Sequence, residues 1–387
     1  MIKETARGTR DFLPEEVELR ENMKETILKT YQKLGFKQIE TPLIENIENL
    51  EGSEGGENLS LIFKILKRGE KLDLESKNLA DLGLRYDLTL PLARYYANNQ
   101  NNLEVPFKVV QVGNVFRAEK PQKGRFRQFI QCDIDIIGED EVTAEIELIY
   151  ATSRALKQLG FADFTIEIND RRYLKEKYLN AGFTEDKFMS FCIILDKIDK
   201  IGQEKVTEEL VKAGYEAEKI DNLFKSFESE CENEDLQFVM KSFEDAKDVK
   251  IKYNPFLIRG MGYYTGIIFE IKDNELGLAI AGGGRYDGMI GQFQKDKVSA
   301  VGFSIGFERV YEILKKLDHK KAEVKEKVAL VYDKENVGKA LAYLEEHGDK
   351  ENQTIGIYRV KNKNKIGKLL KKIEQNGYGE IVKILND

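Results

Sequence analysis

Apolar positions along the chain fall into two periods. Leu19, Met23, Ile27, Leu28, Tyr31 and Leu34 recur at helical spacing, and Gly35 follows them as a helix C-cap does. The spacing predicts a second amphipathic helix over 142–159 and an alternating strand over 163–169. Lys37–Ile44 reads as a strand interrupted by Pro42, which either terminates it or marks an edge or an interface. From about 170 to 250 the texture becomes helical and strongly charged, with turn signals at Ala181-Gly182 and Ala213-Gly214, so a helical insertion is expected. Ile258–Ile271 starts at a turn and becomes an alternating strand. Leu278–Gly288 is an apolar strand running into a glycine-rich turn, and Ala300–Val310 is strand then helix. Beyond a charged linker, Lys315–Lys327, the order is β-α-β-α-β over 328–331, 336–346, 354–360, 366–376 and 381–385. The expected domains are 1–323, with its insertion, and a small α/β unit over 324–387.

Composition narrows the picture. At 387 residues the chain exceeds one ordinary core. Hydrophobic residues at 41% and charged residues at 33% fit a soluble globular protein, and no apolar run is long enough to span a bilayer. MIKETARGTRDFLP has no apolar signal region, so a cytoplasmic location is expected. Cys132, Cys192 and Cys231 lie too far apart for a metal-ligand spacing or a disulfide frame. Only two histidines occur, His319 and His347, which argues against histidine acid–base chemistry and a zinc site. No protein-held metal is expected. A net charge of −7 argues against blanket nucleic-acid binding and leaves room for a local basic patch. G-x-x-x-x-G-K-[ST] and G-x-G-x-x-G in a Rossmann setting are both absent.

The densest chemistry is VFRAEKPQKGRFRQFIQCDIDIIG, Val115–Gly138. It reads as strand, basic turn, strand. Arg117 and Glu119 would share one face of the first arm. Gln131, Asp133 and Asp135 share a face of the second, with Cys132, Ile134 and Ile136 opposite. The tip carries Lys120, Lys123, Arg125 and Arg127. Two readings stand: a solvated hairpin, or a ligand face too costly to keep in a core for any other purpose. Asp87 and Thr89, two apart in LRYDLTLPLARYY, either share a face at a strand end or cap the following helix.

Taken in order, these segments resemble the histidine–tRNA ligases, a family of class II aminoacyl-tRNA synthetases. Phe36–Pro42 resembles motif 1, Val115–Gly138 motif 2 with its acceptor-stem loop, and Ala300–Val310 motif 3. Leu257–Glu270 and Gly282–Gly288 resemble the two histidine signatures. FRxExPQxGRxRQF, RGxxYYTG and GGGRYDG together form a specific set, and the likeness covers about residues 5–315. It implies an α+β fold, an antiparallel sheet flanked by helices, with a helical insertion and a shortened C-terminal α/β domain. It implies ATP, with magnesium on its outer phosphates, as the activating substrate, and L-histidine and tRNA(His) as partners, in a homodimer with motif 1 at its interface.

By the same resemblance, Arg117 would hold the α-phosphate, Arg309 the γ-phosphate, Glu119 the adenine amino group and Phe129 the adenine ring. Arg259 would bridge α-phosphate and histidine carboxylate. Asp87, Thr89 and Gln131 match positions around the substrate ammonium and carboxylate. Asp135 and Tyr264 match those reading the imidazole, with Tyr263 and Tyr286 close by. Gln122 and Arg127 would touch acceptor bases, and Lys120, Lys123 and Arg125 phosphates. Two departures appear. Gly262 stands where the family often has Asp, and the third C-terminal strand is followed closely by the end, so a reduced anticodon domain is expected. A histidine-sensing regulatory subunit of ATP phosphoribosyltransferase is the alternative, although that paralogue typically loses the motif 2 loop and the catalytic arginine. A third reading is an enzyme that adenylates histidine for another acceptor.

Overall fold

The first helix begins where the sequence expects it. α1 (Pro14–Lys33) has Pro14 at its first position, and the Glu16 carboxylate accepts from the Leu13 N–H at 2.9 Å. The structure is a computed structural model that describes the chain except residues 53–57, 70, 71, 77, 123, 247, 248, 260–262, 317–325, 349, 351, 352, 362–364 and 387. The chain divides into two compact units, Met1–Leu317 and Asp318–Asp387.

In the first unit the order is β1 (Lys37–Gln38), β2 (Ile44–Asn46), α2 (Ile47–Gly52), β3 (Phe63–Leu66), β4 (Ala80–Leu84), α3 (Thr89–Asn99), β5 (Phe107–Phe116), β6 (Gln128–Ile137), α4 (Thr143–Gln158) and β7 (Phe164–Asp170). Helices α5 (Arg171–Asn180), α6 (Phe188–Leu195), α7 (Ile198–Ile201), α8 (Gln203–Lys212), α9 (Ala217–Ser226) and α10 (Glu234–Ser242) follow. β8 (Lys250–Tyr253), β9 (Ile267–Asp273), β10 (Leu278–Arg285), β11 (Ala300–Ile305) and α11 (Phe307–Lys316) complete it.

Eight strands form one sheet in the order β1-β5-β6-β11-β10-β9-β7-β8, antiparallel except for its two edge pairs, β1–β5 and β7–β8. One face of the sheet is apolar. Cys132, Ile134 and Ile136 join Phe269, Phe303, Ile305 and the buried stripes of α1, α4 and α11 in a single core. Each such side chain contributes about 1.5–3 kcal/mol by leaving water. The opposite face holds Gln131, Asp133 and Asp135 in the middle of the sheet, so the alternation read along this arm is observed.

Three local expectations are corrected. Strand β5 ends at Phe116, so Arg117 and Glu119 lie beyond it rather than on it. The Arg117 N–H still bonds the Arg127 carbonyl at 2.9 Å, which keeps the two arms together. Lys37–Ile44 is not a strand: only Lys37–Gln38 is, and pairing resumes with β2 at Ile44. Pro42 lacks an N–H, and the Thr41 and Pro42 carbonyls take the Arg85 guanidinium instead of a strand. Gly282–Gly284 lie inside β10, paired on both sides, and not in a turn.

The insertion has its own core of Tyr178, Phe191, Leu195, Val206, Leu210 and Leu223. α10 lies apart from it, with Leu236 and Val239 in the main core. The second unit is β12 (Glu326–Tyr332), α12 (Val337–His347), β13 (Gln353–Arg359), α13 (Ile366–Gln375) and β14 (Glu380–Ile384), a parallel three-stranded sheet in the order β13-β12-β14.

Candidate active site

A cleft of about 770 Å³ opens on the polar face of the large sheet. Its floor is hollowed by missing side chains. Asp133 on β6 faces Ser304 on β11, and Asp135 faces Gly302; Ser304 in turn faces Gly282 on β10, which faces Glu270 on β9. A Cβ at Gly302 would lie 2.1 Å from Asp135 Oδ1, and one at Gly282 would lie 2.3 Å from the Arg259 guanidinium. Glycine is the residue that fits at both points.

The inner end is acidic. Asp87, Asp133 and Asp135 are all buried, at 2%, 5% and 3% exposure, which rules out the solvated-hairpin reading. Burial raises the carboxyls of Asp87 and Asp135 above the usual range, Asp135 well above it. Burial first, and then the Asp87 charge, pushes Asp133 up to about 7, against the Ser304 hydroxyl, Arg117 and Arg85. Asp87 Oδ1 accepts from the Leu90 N–H at 3.1 Å, so Asp87 holds the first turn of α3 and also faces the cleft. The strand-or-cap alternatives thus resolve to a helix-start residue that keeps its other oxygen, Oδ2, for the site. Thr89 opens α3 and lines the same wall. Tyr286 donates to Asp135 Oδ1 at 2.7 Å, and the Tyr263 ring lies 4.9 Å from that of Tyr264 and 6.0 Å from that of Tyr286.

The same cleft is also rich in cations: Arg117, Arg125, Arg259 and Arg309 all line it, alongside Glu119 and Glu270. Arg117 Nε donates to the Tyr86 carbonyl at 3.0 Å, and its guanidinium carbon lies 5.1 Å from the centre of the Phe129 ring. Arg259 pairs with Glu270 at 2.5 Å. Arg309 donates to the Ala279 carbonyl, and burial lowers its pKa, which a bound anion would reverse. Glu119 lies 3.6 Å from Arg125.

The structure gathers Asp87, Thr89, Arg117, Glu119, Arg125, Phe129, Gln131, Asp135, Arg259, Tyr263, Tyr264, Tyr286 and Arg309 around this one cleft. Gln122 and Lys120 are exposed on the tip, away from the floor. Arg127 is occupied elsewhere: its Nε donates to the Glu119 carbonyl at 3.0 Å and its N–H to Gly8. Lys123 and Gly262 lie outside the described residues.

Sequence reasoning missed three parts of the wall. Asp133 was visible, at the same two-residue spacing as its neighbours, but received no role. Glu270 is positioned by the register of β9 with both its neighbours, opposite Gly282 of β10 and Glu167 of β7. The insertion reaches the cleft through Asp196, Ile198, Asp199 and Lys200, where Asp199 pairs with Lys272 of β9 at 2.7 Å. Among the described residues no group of His, Cys, Asp and Glu is arranged to hold a metal ion. No described helix is long and apolar enough to cross a membrane.

The large sheet, antiparallel except at its edges and backed by helices, thus carries an arginine-lined cleft on its open face. Residues 8–310 match the family described as Histidyl-tRNA synthetase. The chain is 41% identical to the histidine–tRNA ligase of Leifsonia xyli subsp. xyli, with 84% of this chain and 83% of the relative covered. It is 36% identical to that of Christiangramia forsetii, over 84% of this chain and 80% of the relative. Its fold is similar to the solved histidyl-tRNA synthetase of Nostoc sp. PCC 7120, with a TM-score of 0.79, 26% identity, and 100% of this chain and 92% of that one covered. It also resembles, at 21% identity and a TM-score of 0.78, a Bacillus halodurans chain described as an ATP phosphoribosyltransferase regulatory subunit/histidyl-tRNA synthetase; 100% of this chain and 99% of that one are covered, and that likeness concerns fold alone. The chain belongs to the histidyl-tRNA synthetase family.

Proposed function

We propose that the protein ligates L-histidine to tRNA(His) through a histidyl-adenylate made from ATP. The observation that carries this reading is that one cleft brings three buried carboxylates, Asp87, Asp133 and Asp135, together with four arginines, Arg117, Arg125, Arg259 and Arg309. Attack of a carboxylate on the α-phosphorus builds negative charge on the phosphates, so the reaction needs fixed cations more than a base. Arg117 and Arg259 would hold the α-phosphate, and Arg309 the γ-phosphate, each as a planar fork that stays charged. Magnesium would arrive as part of MgATP. Phe129 would stack on adenine, with Glu119 accepting from its amino group after turning from Arg125. At the inner end Asp87, Thr89 and Gln131 would take the substrate's ammonium and carboxylate, and Asp135, Tyr264 and Tyr286 its ring.

A pure histidine sensor would use the inner end and gain nothing from the four arginines. The exposed tip at Lys120 and Gln122 suits the acceptor end of tRNA. Leu43 and Ile44, at 42% and 49% exposure beside Pro42, suit burial in a homodimer interface of cytoplasmic protein. The test is histidine-dependent ATP–pyrophosphate exchange by the purified chain. Well-folded protein without exchange would overturn the ligase reading. Exchange without charging of total tRNA would support the enzyme that serves another acceptor.

A further inference from the structure

Three carboxylates line the inner end of the cleft, and the roles above use only Asp87 and Asp135. We propose that Asp133 is a further binding residue of the amino-acid subsite, sharing the substrate's α-ammonium with Asp87 and selecting for that charge. This rests on the reading of the cleft as a histidine site.

Asp133 lies at the centre of the floor, facing Gln111 of β5 on one side and Ser304 of β11 on the other. Its Oδ2 accepts from Gln131 Nε2 at 3.3 Å, the Ser304 hydroxyl opposite favours its charged form, and its Oδ1 is buried with no partner of its own among the protein's hydrogen bonds. Asp87 Oδ2, from a different segment of the same wall, is likewise buried and unpartnered. Buried polar atoms are almost always satisfied, so two such acceptors facing one cavity indicate a donor that arrives with the ligand. The fixed cations nearby, Arg85 and Arg117, act on Asp133 through their charge, and they donate hydrogen bonds to backbone carbonyls. Arg85 donates to the carbonyls of Thr41, Pro42 and Asn114, and Arg117 Nε to that of Tyr86. A compact ammonium with three donors can meet both carboxylates.

Near neutrality Asp133 of the empty site is about half protonated, since burial and Asp87 disfavour its charge. Seating the ammonium replaces that proton: the Asp133 O–H bond breaks, the carboxylate pairs with the ammonium, and H⁺ goes to solvent. The other groups facing Asp133 are Asp135, whose own carboxyl burial raises well above the usual range, Ser304, Arg85, Arg117, Tyr263, Tyr264 and Tyr286.

The test compares the full-length protein with its Asp133→Asn variant. The KM for histidine in pyrophosphate exchange should rise roughly 10- to 100-fold, the loss of a hydrogen bond to a charged group, with the KM for ATP unchanged. Inhibition by 3-(imidazol-4-yl)propionate, which lacks the amine, should be unaffected. Calorimetry of histidine binding at pH 7 in buffers of different ionisation heat should show the wild type releasing about half a proton more than Asp133→Asn does. Equal weakening of histidine and of the amine-free compound would overturn the proposal, because it would mark Asp133 as structural. Unchanged affinity and unchanged proton release would overturn it too. If the variant does not fold, the buffer series on the wild type with histidinol decides, and zero proton release overturns the proposal. Histidine binding with proton release but no exchange would support Asp133 while overturning the ligase reading.

Discussion

Gly282 lies directly beneath Arg259: a Cβ on this glycine would sit 2.3 Å from the guanidinium. Glu270, paired with Gly282 across the β9–β10 ladder, holds the same arginine from the side. The position of Arg259 is therefore set by an absent side chain and by one carboxylate. Gly282→Ala should lower the exchange rate roughly 100-fold, the scale of an ångström-sized misplacement of a reacting group. Arg259→Ala should abolish exchange while calorimetry still detects histidine binding. Unchanged exchange in Arg259→Ala would remove Arg259 from the reaction.

Asp133 makes stability of the ligand-free protein depend on pH. Its folded pKa, about 7, is raised from 3.8, so the folded state binds the extra proton. The contribution is full below pH 4 and is lost as pH rises through 7. Asp133→Asn should thus stabilise the ligand-free protein at pH 8 by up to roughly 4 kcal/mol, from a shift of about 3 units. Melting temperatures at pH 6 and pH 8 check this: the gain should be larger at pH 8, and histidine should raise the variant's melting temperature less than the wild type's.

Arg20 and Glu308 form a buried two-point pair, both bonds 2.7 Å, joining α1 to α11. Glu308 Oε1 also accepts from the Ile130 N–H at 3.3 Å, between Phe129 and Gln131. Removing one partner strands a buried charge, so Arg20→Met should cost about 3–5 kcal/mol in urea unfolding. Exchange should show a raised KM for ATP, because Arg309 follows Glu308 directly.

The basic tip divides by position. Lys120 is exposed and away from the floor, whereas Arg125 lines the cleft. Lys120→Ala should slow tRNA charging and lower its salt slope by about 1, leaving exchange unchanged. Arg125→Ala should impair both reactions, as measured by exchange and charging on one preparation.

The two periods in the apolar pattern were enough to place α1, α4, β6 and the five elements of the second unit close to their observed bounds, because burial of one face dictates them locally. The spacing of Gln131, Asp133 and Asp135 was legible for the same reason: a strand sends alternate residues to one face. The strand over 37–44, the turn over Gly282–Gly284 and the strand seats of Arg117 and Glu119 were read wrongly. Each depended on a partner remote in sequence: Arg85 taking the Thr41 and Pro42 carbonyls, β9 and β11 flanking the glycines, and Arg127 closing on Arg117. Glu270 beside Arg259, and Asp199 on Lys272, likewise had no local signal. By itself, then, the sequence determined which residues would carry charge and, along β6, which face each would take. Only the tertiary structure decided that three buried carboxylates would line one cleft, because burial and mutual repulsion arise when distant segments are brought together.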